Sequence, residues 1–369
     1  MKFACCIFQV KPFGGLQRSF LAMAKACVQA GHQVDVYTMV WQGEVPAGLQ
    51  VQIIPASGWT NHQRCATFVK QLAATLKKHR YDRVIGFNRM PGLDVYYAGD
   101  VCFADEMSHK NPLLTRFSQR YRTYLDFERA VMQSQAQLLW ISERQRDTYL
   151  QHYQIPENRQ HMLPPGIRQD LTPPTDAKMQ VVAQREMLAI PASHAVLLMV
   201  GSDFKRKGVD RAIRSIASLP SETPTTLLIV GEGKTNAMLS LAKQLGVADC
   251  IRFLGPRQDT PGLYCLADGL LHPALAEAGG NVVLEALASG TPVLTTAACG
   301  FASHVKRANA GMVLAEPFRQ VSWNAAVLEF LSSNQRQSWR ENALHYAVTE
   351  DLYSRAERAV QLFEACYEL

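Results

Sequence analysis

Short apolar runs alternate with helical patterns along almost the whole chain. Such alternation is typical of parallel sheets whose two faces are covered by helices. The run Val196–Val200 is apolar at every position, as expected of a strand buried on both faces. The predicted strands are 3–8, 34–38, 51–54, 83–87, 138–141, 195–200, 226–230, 250–254, 269–272, 292–295 and 311–314. The pattern therefore predicts an α/β protein with doubly wound sheets.

The chain has 369 residues, more than the ~250–300 at which single hydrophobic cores stop growing. Its densest proline cluster lies in Leu163–Pro174 and marks a domain boundary. We predict one Rossmann-like domain at 1–165 and a second at 166–349, with a helix at about 350–369 that packs back on the first. The domains are expected to face each other across a cleft, with ligands beyond the carboxyl ends of the strands.

Targeting signals and metal-binding patterns are missing from the sequence. No apolar run approaches the ~20 residues of a membrane span, and Phe3–Phe8 is too short for a signal peptide. We therefore expect a cytosolic protein. Nine cysteines without a C-x-x-C pair favour buried, reduced thiols, and their spacing argues against a zinc site.

The net charge of +6 is unevenly distributed. Met1–Pro165 holds 19 Lys and Arg against 12 Asp and Glu, whereas Gly166–Leu369 holds 19 against 20. Excess positive charge in one half indicates an anionic partner for that half. Nucleic acid, acidic lipid and a phosphorylated glycan all fit this pattern.

A glycine pair follows the first predicted strand, in the segment Pro12–Arg18. Gly14 and Gly15 let the backbone approach a ligand, and the helix start behind them offers amides to a diphosphate. The segment is not the G-x-G-x-x-G fingerprint, so a dinucleotide is not indicated. A plain turn between strand and helix explains it equally well.

A basic loop, Gly201–Gly208, follows the fully apolar strand. Its consecutive cations Lys205, Arg206 and Lys207 would clamp a diphosphate and stabilise it as a leaving group. The alternative is a solvated basic turn. The position directly after a buried strand favours the functional interpretation.

Two glutamates stand eight residues apart in His272–Ala286, with Gly279 and Gly280 between them. We expect Glu277 on a loop and Glu285 two turns into the following helix. Carboxylates suit the paired hydroxyls of a ribose or hexose, and the helix start suits a phosphate. A purely structural explanation accounts less well for the whole arrangement.

These three elements resemble the retaining glycosyltransferases of family 4, which have GT-B architecture. Within that family the chain is most similar to the lipopolysaccharide core glucosyltransferases I. The segments that carry this resemblance are 13–18, 86–95, 163–167, 207–211 and 351–354. One departure is Ser19, where the resemblance leads us to expect aspartate.

The resemblance implies residue roles. The implied catalytic residues are Asp100, Glu277, Lys207 and Arg206. The implied contacts of a UDP-sugar are Gly14, Gly15, Ser202, Arg206, Lys207, Arg257, Glu277, Ala278, Gly279, Gly280, Asn281, Val282 and Glu285. Glu285 would bind the ribose, Arg257 the base and Glu277 the sugar hydroxyls. The implied acceptor is a heptose of the lipopolysaccharide inner core, glucosylated in α-1,3 linkage at the inner membrane of a Gram-negative bacterium.

The chain contains no D-x-D triplet of the kind that holds a nucleotide sugar through a metal. We therefore expect no metal or other cofactor, with Arg206 and Lys207 neutralising the leaving diphosphate instead. No carboxylate can be assigned as a covalent nucleophile. We favour front-face displacement, with Asp100 orienting the acceptor or assisting as a base.

The segment Phe103–Met132 combines cations with aromatic residues. Lys110, Arg116, Arg120 and Arg122 interleave with Leu113, Leu114, Phe117, Tyr121 and Tyr124. This amphipathic pattern is typical of contact with an anionic membrane surface. The alternative is a helix that covers the domain edge with solvated cations.

Two alternatives to this function remain open. The same fold could use UDP-galactose, UDP-GalNAc or UDP-GlcNAc as donor, or another glycan as acceptor. It could also be a non-catalytic nucleotide-sugar-binding module, against which the full set of charged residues argues. Nucleic-acid binding is not expected, because no RNA or DNA motif accompanies the basic first half.

Overall fold

The computed structural model describes residues 1–12, 14–110, 118–171 and 177–365. The chain forms two compact units. The first unit comprises Met1–Gly166 and Ser354–Leu369, and the second comprises Ile167–Tyr353. The chain therefore leaves the first unit once and returns to it near its end.

The first unit is built on a seven-stranded parallel sheet with strand order β5-β3-β1-β6-β7-β8-β9. Two very short strands, β2 and β4, pair with each other beside it. The bounds are β1 Lys2–Cys6, β2 Gln9–Val10, β3 Gln33–Thr38, β4 Val40–Trp41, β5 Leu49–Ile53, β6 Arg83–Gly86, β7 Val95–Ala98, β8 Gln137–Trp140 and β9 Gln160–Met162.

Helices connect these strands: α1 Gly15–Gln29, α2 Asn61–Leu76, α3 Phe103–Ser108, α4 Gln119–Met132 and α5 Glu143–Leu150. Helix α2 shows why such segments fold as they do. Thr60 and Gln63 form a capping box at its start. Cys65, Phe68 and Leu72 recur at helical spacing and are buried, which fixes α2 on the sheet.

The second unit holds a six-stranded parallel sheet with strand order β12-β11-β10-β13-β14-β15. Its strands are β10 Ala195–Val200, β11 Thr225–Val230, β12 Ile251–Gly255, β13 Gly269–His272, β14 Val293–Thr296 and β15 Gly311–Leu314. Its helices are α6 Ala177–Met187, α7 Val209–Ile216, α8 Thr235–Gln244, α9 Thr260–Leu266, α10 Asn281–Ala288, α11 Ala302–Ala308, α12 Gln320–Ser332 and α13 Arg336–Thr349.

The last helix, α14 (Arg355–Glu364), belongs to the first unit and packs against α1. Phe363 meets Phe3 edge to face with ring centroids 6.1 Å apart. The His32 ring also hydrogen-bonds Glu364 at 2.7 Å. These contacts join the two ends of the chain within one core.

Each sheet reverses its strand order at one point. In the first unit the reversal lies between β1 and β6, and in the second between β10 and β13. Loops that leave neighbouring strands at such a point diverge and expose a crevice in which α/β proteins bind ligands. The chain thus provides one such crevice in each unit.

The predicted α/β class with two Rossmann-like sheets is confirmed. Two strands of the main sheets were not predicted, β7 and β9. Strand β9 reads Gln-His-Met at a sheet edge and shows no apolar pattern, whereas β7 reads Val-Tyr-Tyr-Ala and was missed although all four residues are buried. The eight described cysteines are unpaired thiols, six of them buried.

Candidate active site

Two loops of the second unit meet at its switch point. One follows β10 and spans 201–208, and the other follows β13 and spans 273–280. The Leu275 amide donates to the Arg206 carbonyl at 2.8 Å. Gly208 permits this approach, because a Cβ there would lie 2.1 Å from the Pro273 carbonyl oxygen. The backbone therefore brings the basic loop and the glutamate loop together.

Two cations converge on the carboxylate of Glu277. Arg206 Nη1 donates to Oε2 at 2.8 Å, and Lys207 Nζ donates to the same oxygen. The side chains of Lys207 and Glu277 are 10% and 15% exposed, whereas that of Arg206 is 40% exposed. Asp203 lies 3.4 Å from Arg206 Nε. Arg206 is therefore the more accessible of the two cations.

Glu277 is ionised at neutral pH. Burial raises its pKa, but Lys207 and Arg206 outweigh burial and lower that pKa to about 2. An ionised carboxylate only accepts hydrogen bonds, so Glu277 can receive them from hydroxyl groups. The cluster thus combines cations for an anion with an acceptor for hydroxyls.

The turn before α10 is held in a conformation that requires glycine. Gly280 has a φ of 102°, and a Cβ there would lie 2.6 Å from Cys299 Sγ. The amide of Phe301 donates to the Gly279 carbonyl at 2.8 Å. Because α10 begins at Asn281, the positive end of its dipole lies directly after the Glu277 loop.

Glu285 is the fifth residue of α10, a little over one turn from its start, so the predicted two turns were wrong. Glu285 is 2% exposed, and its carboxylate accepts a 2.8 Å hydrogen bond from the Tyr264 hydroxyl. The pKa of Arg168 is raised mainly by its hydrogen bond to Asp170 and further by the charge of Glu285. Glu285 is therefore held in place by an aromatic hydroxyl and lies near a cation.

Ser202 lies near the start of the basic loop, and Arg257 lies on another loop at the carboxyl edge of this sheet. Ser202 follows β10, and its hydroxyl accepts from the Glu232 amide at 3.4 Å. Arg257 follows β12, and its Nε donates to Asp259 Oδ1 at 2.7 Å. Both residues are thus fixed by neighbours from loops at the same edge.

The glycine pair lies at the switch point of the first unit. Gly14 has a φ of 143°, and a Cβ on it would lie 2.0 Å from Gln17 Oε1. A Cβ on Gly15 would meet nothing within 4 Å. Gly14 is thus required by the turn, while Gly15 leaves open space at the start of α1. Phe13 of the same motif lies outside the described residues.

Asp100 follows β7 at the same edge of the first sheet. Gln145 of α5 fixes its backbone, because Nε2 donates to the Asp100 carbonyl at 2.7 Å and also to that of Ala98. Arg89 Nε lies 3.7 Å from Asp100 Oδ2, and the Asp100 side chain is 31% exposed. The backbone is held while the carboxylate remains accessible.

Of the segment Phe103–Met132, residues 111–117 lie outside the described residues, and with them Leu113, Leu114, Arg116 and Phe117. In the remainder, Arg120 and Arg122 are exposed. Tyr121 and Tyr124 pack on Phe103, with ring centroids 6.3 and 5.8 Å away. The other face of α4 is buried. The described part is thus amphipathic, with its aromatics partly engaged in the domain.

Lys110 is paired within this segment. Its Nζ donates to Glu106 at 2.6 Å and lies 5.2 Å from the centre of the Tyr121 ring. Across the described ranges, no helix is long and apolar enough to cross a bilayer. No three His, Cys, Asp or Glu side chains among those same residues are grouped to hold a metal ion.

Comparison with known proteins places these features in a family. Residues 13–171 match the model of Glycosyltransferase Family 4, and residues 182–346 match that of glycosyl transferases group 1. The lipopolysaccharide glucosyltransferase WaaG of Escherichia coli K12 is 42% identical over 364 residues, which cover 97% of each chain. The chain belongs to the WaaG family of glycosyltransferases.

Solved structures agree with this assignment. The crystal structure of WaaG matches with a TM-score of 0.93 at 41% identity, covering 99% of this chain and 100% of that one. Anabaena HepE in complex with UDP and glucose matches with a TM-score of 0.76 at 18% identity, over 99% and 100% of the two chains. The second likeness shows the GT-B fold alone. As a WaaG-family member the chain is a glycosyltransferase of GT-B fold.

Within this WaaG-family chain, the structure brings Arg206, Lys207 and Glu277 into direct contact. It also shows side chains that sequence reasoning missed. They are Arg89 and Gln145 beside Asp100, Glu128 beside Arg89, Tyr264 on Glu285, and the buried, neutral His272 under the Gly280 turn. Arg89 follows β6 and His272 ends β13, both inside motifs already singled out, and that position was the available signal.

Proposed function

We propose that the chain is a retaining hexosyltransferase that moves glucose from UDP-glucose to a heptose of the lipopolysaccharide inner core in α-1,3 linkage. The convergence of Arg206 and Lys207 on ionised Glu277 carries this proposal. A nucleotide sugar needs cations for its diphosphate and an acceptor for its hydroxyls, and this cluster offers both. The 42% identity to a lipopolysaccharide glucosyltransferase supports the choice of glucose and of the glycan.

The second unit would hold the donor. Arg206 and Lys207 would bind the diphosphate, with the amides of Gly279, Gly280 and the start of α10 beside them. Glu277 would accept hydrogen bonds from the sugar. Ala278, Asn281 and Val282 line the same turn, and Ser202 and Arg257 lie on the same sheet edge.

Glu285 would bind the ribose through its carboxylate, which the Tyr264 hydroxyl holds in place. Gly14 and Gly15 are proposed as further diphosphate contacts, since Gly15 leaves space at the start of α1. Each of these contacts uses a group that the fold holds in place before the ligand binds, which reduces the cost of ordering on binding.

Chemistry would proceed on one face of the sugar. The bond between the anomeric carbon and the β-phosphate oxygen breaks, and the acceptor hydroxyl forms its bond on the same face. Its proton passes to the leaving phosphate, whose charge Arg206 and Lys207 offset. Asp100 orients the acceptor hydroxyl. The step requires neither metal nor other cofactor, and it would take place at the cytoplasmic face of the inner membrane of a Gram-negative bacterium.

A donor panel tests this proposal most directly. The protein is incubated with core lipopolysaccharide truncated at the heptose and with UDP-glucose, UDP-galactose, UDP-GalNAc or UDP-GlcNAc in turn. We expect transfer from UDP-glucose, with the α-1,3 linkage read by mass spectrometry and NMR. Transfer from another donor alone would replace glucose in the proposal. UDP release from none of them would favour a binding module without activity.

A further inference from the structure

Arg89 stands between two carboxylates in the first unit. It lies in the loop after β6, beside the switch point. Its Nη1 donates to Glu128 Oε2 at 2.5 Å and its Nη2 to the Val101 carbonyl at 2.9 Å. Its Nε lies 3.7 Å from Asp100 Oδ2. The side chain is 11% exposed, so its position is set mainly by these partners.

Glu128 is a fixed anchor for Arg89. It is fully buried on α4 and accepts hydrogen bonds from the amides of Phe103 and Ala104 at 2.6 and 2.9 Å. The Tyr153 hydroxyl donates to it at 2.9 Å. With its oxygens occupied from three further directions, Glu128 cannot follow Arg89 if the loop moves. It therefore determines where the guanidinium sits.

We propose that Arg89 is a positioning residue that holds the Asp100 carboxylate toward the acceptor. The planar guanidinium is fixed by two of its nitrogens, so the third presents its N–H in one direction only. Gln145 fixes the backbone of Asp100, but its contacts leave the side chain of Asp100 free to rotate. Arg89 restricts that rotation of the Asp100 side chain. This inference rests on the proposed role of Asp100 in acceptor binding.

The competing explanation is that Arg89 only fastens its loop to α4 through Glu128. Two measurements separate the explanations. Transfer to truncated core lipopolysaccharide depends on Asp100, whereas slow hydrolysis of UDP-glucose without acceptor depends on the donor site. A positioning role lowers the first and spares the second. A purely structural role lowers both in parallel.

We expect Arg89→Met to lower kcat for transfer by at least about tenfold, a typical loss for a misplaced acid–base group. The KM for UDP-glucose and the rate of donor hydrolysis should stay within about twofold of wild type. Arg89→Lys keeps the charge but loses the planar fork of N–H groups, so it should restore only part of the transfer. Arg144→Met, an exposed arginine on α5, is the matched control and should behave as wild type.

A double-mutant cycle with Asp100→Asn makes the test decisive. If Arg89 acts through Asp100, adding Arg89→Met to Asp100→Asn should lower transfer by less than about twofold. The same loss in both backgrounds, or a parallel loss of donor hydrolysis, would overturn the inference. Normal transfer by Asp100→Asn alone would instead overturn the proposed role of Asp100. Should Arg89→Met fail to fold, Arg89→Gln, which keeps a donor toward Glu128, replaces it in the cycle.

Discussion

The two units have similar parallel sheets, but the charged clusters beside these sheets have opposite compositions. In the second unit, two cations, Arg206 and Lys207, share one oxygen of Glu277. In the first, two acids, Asp100 and Glu128, flank the single cation Arg89. Both sheets are parallel and both reverse their order once. The loops and helices around the strands, and not the strands themselves, therefore decide which charges each unit presents.

Burial differs as well as charge. The Glu277 side chain is 15% exposed and that of Asp100 is 31% exposed. Charges interact more strongly where less water surrounds them. We therefore expect the largest effects from changes in the second unit and smaller ones in the first.

Removing a partner from the cation pair should have the largest effect. Lys207→Ala or Glu277→Ala should each lower kcat/KM by at least ~100-fold, since each removes a group that is proposed to stabilise charge or to hold the sugar. Steady-state UDP release measures this loss. Lys243→Ala, at an exposed position of α8, is the control and should retain activity. Near-normal rates for the first two variants would contradict the assigned donor site.

Asp100→Asn tests the first unit in the same way. Transfer should fall by about 100-fold, because an amide orients or deprotonates the acceptor hydroxyl poorly. UDP-glucose affinity, measured by calorimetry, should change little. Asp126→Asn, an exposed residue of α4, serves for comparison. Weaker donor binding in Asp100→Asn would show that Asp100 acts in donor binding and not in acceptor binding.

The low pKa of Glu277 predicts acid sensitivity. Because its pKa is about 2 in the folded chain against 4.5 ordinarily, its stabilisation is present above pH 4.5 and is lost as the pH falls toward 2. The full difference corresponds to about 3 kcal/mol. Between pH 6 and pH 3.5, urea unfolding of wild type should lose about 1 kcal/mol more than that of Glu277→Gln. Equal losses would show that the carboxylate is not held by its cations.

Contact of the first unit with an anionic membrane stays a prediction, and its expected effect is smaller. Arg120→Ser and Arg122→Ser should each weaken binding to vesicles of anionic lipid by about fivefold, which is about 1 kcal/mol per cation. Co-sedimentation at low and high salt measures the binding. Lys243→Ser in the second unit is the control of equal charge change. Binding that neither salt nor these substitutions weakens would leave α4 as a helix that covers the domain edge.

Chelation should have no effect. We expect full transfer activity in excess EDTA, because in the proposed site Arg206 and Lys207 would offset the charge of the leaving diphosphate. Initial rates with and without EDTA measure this directly. Activity that is lost and then restored by added Mg²⁺ or Mn²⁺ would show that the cations do not suffice.

The sequence predicted those strands that have a distinct apolar pattern of their own. All six strands of the second unit and five of the first stood out as apolar runs. Edge strand β9 did not, since its place in the sheet is set by the neighbouring strand β8. Pairing with β8 makes β9 a strand although its own residues have little preference for one.

The residues of the candidate site also fall into a predicted group and a missed group. The basic loop, the glycine turn and Glu277 were predicted because each lies directly after a strand. Glu128 was not, since it stands in the middle of a helix and its partner Arg89 is 39 residues away. Tyr264 was missed for the same reason, being 21 residues from Glu285. Partners so distant in sequence leave no local pattern.

The sequence alone determined the α/β class, the loops that carry charge and the residue types available in them, because strand and helix periodicity and glycine turns are local properties. Only the tertiary structure decided which charges meet. It joined Lys207 to Glu277, 70 residues apart, and set Arg89 between Asp100 and Glu128. Strand order determines which loops lie side by side and therefore which of these charged side chains come into contact. It is a property of the whole sheet and not of any one segment.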